Sequence, residues 1–424
     1  MNLPRRRLGL VVLAVAVVVF AVAVVRAVRP APPAAEIVPS LAVEDPAFTT
    51  TLEGHVTTPV SSGNRATLLV NGDAIFPAKL AAIRGAKTSI TYLEYFWGEG
   101  QIGSDIAEAL ADRCRAGVAV KVLLDGVGTL NMPGDHLAAM LRAGCRVHTF
   151  RPLARLGLRR HNNRNHRRIL VVDGRIGHTG GSGVSDKWTG NGTAEDHWHD
   201  IDLHIEGPAV QWLQSAFAEN WREATHEIIG GAAYFPPLTA AGDVRLQIVA
   251  SSPAAGSYAA YTMVLLAMAS ARRSIAITNP YFVLDEPMTA ALLTAASRGV
   301  KVRVLTPGKI DHNLVRSASR RDYGALIQGG VEIFEYQPSL LHAKTMVVDA
   351  TWATLGSTNF DNRSFALNDE LNVGIHDAGL ARRMQEIFER DVERARRIDY
   401  ESWRHRGIKE RLMETLVLPV RDLL

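Results

Sequence analysis

The chain has 424 residues, with 47 Lys and Arg against 43 Asp and Glu and a net charge of +4. That length exceeds one average domain and leaves room for full cores, and a composition of 47% hydrophobic and 21% charged residues excludes a disordered or fibrous protein. The positive charge is local: residues 1–29 hold Arg5, Arg6, Arg7, Arg26 and Arg29 and no acid, so the rest of the chain carries a net −1 and offers little to a polyanion such as nucleic acid.

Residues 8–25 are an unbroken run of 18 apolar residues. As a helix they span about 27 Å, close to a bilayer core of about 30 Å, and they exceed the 7–15 residues or so of a typical secretion-signal core. They read as a retained single-pass anchor over residues 1–29, with cleavage in the Ala-rich sequence that follows as the alternative. Three arginines precede the run and two follow it, which places the N-terminus in the cytoplasm and the body outside it. Residues 30–65, rich in Pro, Thr and Ser, read as a tether.

The body repeats one plan. KTSITYLEYFW (87–97) matches RRSIAITNPYF (272–282), and IAEALADRCRAGVAVKVLLDG (106–126) matches MTAALLTAASRGVKVRVLTPG (288–308). Each copy continues through a helix near His136–Arg142 or Arg321–Gln328 and a strand at Arg146–Phe150 or Val331–Tyr336. The fold class is therefore α/β: two tandem α-β-α units, 66–235 and 236–424, packed as a pseudo-two-fold dimer within one chain behind an N-terminal transmembrane helix. The break falls near Tyr234–Asp243, where FPPLTAAGD interrupts both patterns. Cys114 and Cys145, the only cysteines, match the apolar Ala296 and Val331 of the second copy, so buried free thiols are expected, with a single bridge as the alternative outside the cytoplasm.

Both copies end in the same constellation, RNHRRILVVDGRIGHTGGS and LLHAKTMVVDATWATLGSTN. The second has His342, Lys344, Asp349, Ser357 and Asn359. His342 and Lys344, two apart in an extended chain, share a face. An imidazole beside an ammonium suits attack at phosphorus: the histidine acts as nucleophile or acid and the cation stabilises charge on the phosphoryl oxygens. One histidine cannot readily do both at once, so the two-fold brings His166 and His342 to opposite sides of one phosphorus.

The spacing HxKx4Dx6GSxN at 342–359, the lead-in RHNNRNHRRILVVDGRIGHTGG (160–181), WHDIDLHIEGPAV (198–210) and FDNRSFALNDELN (360–372) resemble the phospholipase D superfamily, and more closely its cardiolipin synthase branch, over roughly residues 66–424. The resemblance implies a phosphohistidine intermediate, resolved by an alcohol or water, with no metal or other cofactor. It makes His166 the nucleophile and His342 the acid/base, although the residues alone support the reverse equally. Arg168 and Lys344 are the paired cations, Asp173 and Asp349 organise the motifs, and Asp200 and Glu370 orient the histidines. The implied substrate is a phospholipid, phosphatidylglycerol first among them, with the bilayer as a second partner and nucleic acid not favoured. The expected reaction is phosphatidyl transfer between two phosphatidylglycerols. The rivals are a phospholipase D using water or another alcohol, a nuclease of the same superfamily, and a non-catalytic lipid-binding scaffold.

The first motif departs from the pattern: Arg168 stands at the lysine and Gly183 at the asparagine, with Ser182 as a replacement for the lost group. Arg keeps the charge but grips phosphate through a planar fork. Residues 151–168 hold seven arginines and no acid and read as an anion-binding rim, with Arg164 and Arg168 reaching substrate. EDHWHDIDLH (195–204) reads as a strand with a polar face in preference to a metal site, Trp188, Trp198 and Trp212 as core in preference to lipid contacts, and 408–424 as an amphipathic segment docked on the body.

Overall fold

The computed structural model describes residue 32 and residues 41–152 and 162–417. The apolar run at 8–25, the arginines at 155, 159 and 160, and residues 418–424 lie outside the described residues. No helix among the described residues is long and apolar enough to cross a membrane.

The β-branched runs of each copy form seven strands in the same order. In the first half these are β1 (Ser61–Val70), β2 (Ser89–Glu94), β3 (Ala119–Asp125), β4 (Arg146–Phe150), β5 (Ile169–Val172), β6 (Ile176–Gly180) and β7 (Ile201–Glu206), lying as β1-β7-β6-β5-β2-β3-β4. The second half repeats this as β8-β14-β13-β12-β9-β10-β11, using β8 (Val244–Ser251), β9 (Ser274–Thr278), β10 (Lys301–Pro307), β11 (Glu332–Tyr336), β12 (Thr345–Val348), β13 (Trp352–Gly356) and β14 (Glu370–Ile375). A further strand, β15 (Ala395–Ile398), adds to the β11 edge. Antiparallel pairing of β1 with β8, Ser61 opposite Leu246 and Asn64 opposite Val244, fuses the halves into one 15-stranded sheet. The pseudo-two-fold lies between those strands.

Twelve α-helices accompany the sheet among the described residues: α1 (Pro46–Val56), α2 (Gly72–Gly85), α3 (Gln101–Arg115), α4 (Gly134–Arg142), α5 (Val210–Thr225), α6 (Ala259–Ser270), α7 (Glu286–Ser297), α8 (Asn313–Gln328), α9 (Asn362–Ala366), α10 (Ala378–Val392), α11 (Tyr400–Arg404) and α12 (Ile408–Leu416). Helix α3 buries Ile102, Ile106 and Leu110, a four-residue repeat on one stripe. Helix α7 starts at Asp285, whose carboxylate accepts from the Met288 amide at 2.9 Å. One face of the sheet is a core common to both halves, where Leu213 and Phe217 of α5 and Leu380 and Met384 of α10 pack with Ile169 and Val347. The opposite face carries a separate core for each half.

Two expectations are corrected. Residues 30–65 are not a tether throughout, since α1 and the start of β1 fall within them. Asp45 caps α1, Pro46 opens it, and Phe48 and Leu52 are fully buried, Phe48 edge-on to Trp352 with ring centroids 5.8 Å apart. The Thr-rich composition hid an N-cap followed by Phe48, Leu52 and Val56 at four-residue spacing.

The cysteines are not free thiols. Cys114 at the end of α3 and Cys145 just before β4 form a disulfide, with Cα atoms 5.5 Å apart. Their counterparts Ala296 and Val331 are apolar and both pack in the core of the second half, whereas in the first half the matching pair is close enough for a bridge. Domain-wise, residues 226–243 contain no helix or strand and separate α5 from β8. The C-terminal segment docks through α12: Arg406 pairs with Glu414, and Val417 joins Val283, Val315 and Ala318 in a small core. Cys114→Ser should lower stability by about 3–4 kcal/mol, the loop-closure value for a bridge of this span. Alkylation of the unfolded, unreduced protein should leave both sulfurs unlabelled.

Candidate active site

The two motif histidines sit just before matching strands, His166 and Arg168 ahead of β5, His342 and Lys344 ahead of β12. Backbone hydrogen bonds from the opposite half fix each one. The His166 amide donates to Asp369 O at 2.8 Å, and the Asp369 amide to Arg164 O at 2.8 Å. On the other side His342 donates to His199 O at 2.7 Å, and His199 to Leu340 O at 2.9 Å.

The side chains cross over in the same way. His166 Nδ1 lies 3.0 and 3.1 Å from the two oxygens of Glu370, at the start of β14. His342 Nδ1 lies 2.7 Å from Asp200 Oδ2, just before β7. Ser357 donates to Glu370, and Trp188 Nε1 donates to Asp200 at 3.0 Å, so both carboxylates are themselves held. With each Nδ1 engaged, Nε2 is left for chemistry. Arg168 Nη2 lies 3.2 Å from His166 Nε2, and Lys344 Nζ 3.0 Å from His342 Nε2.

Burial, then the charges of Arg168 and Lys344, hold His166 well below the usual imidazole range, which keeps it neutral. Burial pushes Glu370 up to about 7 against the Ser357 hydrogen bond. Burial and Lys344 lower His342 to about 4 against the pull of Asp200, and burial lowers Lys344 to about 7. Asp200 is buried too, yet the charge and hydrogen bond of His342, with Lys344, keep its carboxyl well below the usual range.

A cavity of about 720 Å³ opens over both imidazoles. Arg164, Arg168 and Arg363 line it with Asn359, and Tyr95 meets His166 edge-on at 4.7 Å between ring centroids. Trp188 and Trp198, ring centroids 5.2 and 5.4 Å from that of His342, line the cavity from the core of the first half, where Trp188 is buried and Trp198 packs against it, while Trp212 packs on the shared core. Arg164 Nη2 is buried without a hydrogen-bond partner among the described residues, as suits an anion contact.

Other candidates lie elsewhere. Asp173 and Asp349 do not line the cavity; they are at the far ends of β5 and β12, about 16 Å along the strand from the motif cations. Asp173 accepts from the Lys87, Thr88 and Ser89 amides, and Asp349 from those of Arg272, Arg273 and Ser274, so they tie loops. Ser182 does not replace the missing asparagine. Gly180 lies opposite Asp202, and Gly356 opposite Asn372, so the motif serine matches Gly181 and Ser182 matches Thr358. Ser182 is fully buried and donates to Asp202 Oδ2 at 2.7 Å. A Cβ at Gly181 would stand 2.2 Å from Asp200 Oδ1, so glycine is required where the carboxylate that holds His342 sits.

The arginine cluster is divided in function. Arg151 pairs with Glu223, and Arg167, fully buried, donates to Glu370 O and Ser251 O of the second half. Only Arg164 and Arg168 of the described members reach the cavity. In 195–204, Asp200 serves His342, Asp202 pairs with Lys79, and His204 meets His178. Tyr95, Tyr281 and Arg363 were not singled out in the sequence, because each looks like an ordinary member of a strand end or loop. Glu94 and Lys79 did carry a signal, a charge inside a fully buried strand and on the apolar face of a helix.

A family model described as cardiolipin synthase, PLD-like domain, matches residues 80–221 and 264–392. Cardiolipin synthase 1 of Bacillus cereus is 34% identical over 375 residues, covering 86% of this chain and 74% of that protein. Cardiolipin synthase A of Pseudomonas putida is 36% identical over 351 residues, covering 81% and 71%. Phosphatidylserine synthase of Haemophilus influenzae has the same fold, with a TM-score of 0.65 at 13% identity over 89% of this chain and 99% of that one.

Glu370→Gln and Asp200→Asn should each lower phosphodiester turnover by about 10²–10⁴-fold, the range expected when an orienting carboxylate is lost, with the circular dichroism spectrum unchanged. Losses below tenfold in both would contradict an orienting role.

Proposed function

Because the chain belongs to the cardiolipin synthase branch of the phospholipase D superfamily, we propose that it joins two phosphatidylglycerols into cardiolipin and releases glycerol. What carries this reading is the pairing of two imidazoles lining one cavity, each clamped by a carboxylate of the other half.

His166 Nε2 attacks the phosphorus of one phosphatidylglycerol. The P–O bond to the glycerol headgroup breaks, and His342 delivers a proton to the departing oxygen. The phosphatidyl group then rests on His166. The terminal hydroxyl of a second phosphatidylglycerol gives its proton to His342 as its oxygen forms a new bond to phosphorus, which frees His166 and restores both groups. Arg168, Arg164 and Lys344 stabilise the negative charge on the phosphoryl oxygens. Neutral His166, with Nδ1 held by Glu370 and its Nε2 lone pair facing Arg168 Nη2, suits the nucleophile once a bound phosphate draws off that guanidinium. Ionised Asp200 stabilises an imidazolium on His342 once an anionic phosphodiester adds its charge, which suits the acid/base.

Residues 8–25 anchor the body to the bilayer and hold the site near its substrate. The Cys114–Cys145 bridge supports a body facing an oxidising compartment.

Purified protein in mixed micelles with phosphatidylglycerol should yield cardiolipin and glycerol in equal amounts by mass spectrometry. Phosphatidic acid alone would make water the acceptor, and His342→Ala with unchanged products would end the catalytic reading. Lys344 is the pH-sensitive cation. Its lowered value means that the charge is present below about pH 7 and lost as pH rises through it. The profile of kcat/KM should therefore fall on the alkaline side near neutrality, and Lys344→Arg should move that limb upward by more than one pH unit.

A further inference from the structure

The two halves solve the ground beneath their cations differently. Strand register sets the correspondence: Leu93 faces Ile169 and Thr278 faces Thr345, so Glu94 matches Asn279. Asp202 matches Asn372, as above, and Lys79, ten residues before Ser89, matches Val264, ten before Ser274. Beneath Lys344 the second half thus has Val264, Asn279 and Asn372. Beneath Arg168 the first half has Lys79, Glu94 and Asp202.

All these first-half side chains are buried, Glu94 and Asp202 completely. Lys79 Nζ lies 2.7 Å from Asp202 Oδ2 and 2.8 Å from Ser182 Oγ. Glu94 accepts from the Tyr95 amide at 3.1 Å and from the Tyr92 hydroxyl at 3.3 Å. Its Oε1 is 4.0 Å from Arg168 Nε, an atom with no hydrogen-bond partner among the described residues. Arg168 also lies over the Tyr95 ring, 5.7 Å from its centroid. Glu94 thus stands behind both the guanidinium and the aromatic ring that meets His166.

A structural role alone does not explain these charges. Buried ion pairs contribute little net stability relative to apolar residues of similar size, and the second half builds the same strands over a valine and two asparagines. The charged set also balances, two cations against two carboxylates, whereas the second half leaves Lys344 as the one cation at these four positions.

We propose that Glu94 is a positioning residue for Arg168: through the Lys79–Asp202 pair on one side and Arg168 on the other, it aims the guanidinium fork at the phosphoryl group, so the first half is built for arginine. This rests on the reading of the cavity as a phosphoryl-transfer site. Burial raises Glu94 to about 7 against Lys79 and Arg168, so its charge depends on those cations being in place.

A double-mutant cycle on the full chain tests it, using Glu94→Gln and Arg168→Lys. It is read on the Kd for inorganic phosphate and on kcat/KM for total phosphatidylglycerol consumed, whichever product forms. Glu94→Gln should weaken both readouts at least tenfold in the native background and less than twofold beside Arg168→Lys. Equal losses in the two backgrounds, or no loss in the first, would overturn the proposal. The phosphate arm decides it even if no lipid turns over, which would instead count against the transfer reaction. Should Glu94→Gln fail to fold, Lys79→Met, which makes the position apolar as Val264 is, enters the same cycle with the same expectation.

Discussion

Everything at the site depends on one constraint: the carboxylate that orients each histidine comes from the other half. Glu370 fixes His166 and Asp200 fixes His342, each across the pseudo-two-fold. The backbone hydrogen bonds of Asp369 and His199 repeat that crossing one residue away. Arg167 extends it, reaching from the first motif to carbonyls on β14 and β8. A change that loosened the interface would therefore misplace both imidazoles together. The common core on one face of the sheet and the β1–β8 pairing keep that interface rigid.

Within this symmetric frame the two halves are chemically unequal. The first half sets a guanidinium beside an imidazole whose carboxylate partner is pushed up to about 7 by burial, the second an ammonium lowered to about 7 beside an imidazole whose carboxylate partner is held well below the usual range. Gly181 marks the same divergence, because the shorter Asp200 needs the space that a motif serine would fill. Duplication supplies two histidines in matching positions, and the groups around them have diverged.

Much of this was legible in the sequence, for definite reasons. The repeat showed through because β-branched strands such as Ile169–Val172 and Thr345–Val348 are buried on both faces and tolerate little else. The HxK spacing placed His342 with Lys344, and the family resemblance pointed to Asp200 and Glu370. What stayed hidden depended on proximity across the fold. The Cys114–Cys145 bridge, the shift of Ser182 away from the cavity and the split of the arginine cluster follow from which side chains meet, and spacing alone does not reveal that. Helix α1 was masked by its threonines, although Asp45-Pro46 is a readable start signal.

The most direct measurement is to trap the covalent intermediate. The His342→Asn variant, given phosphatidylglycerol and quenched in alkali, where a phosphohistidine survives, should carry a phosphatidyl-derived adduct on the peptide containing His166. An adduct on the His342 peptide of a reciprocal His166→Asn variant, with none on His166, would contradict the division of labour between the halves.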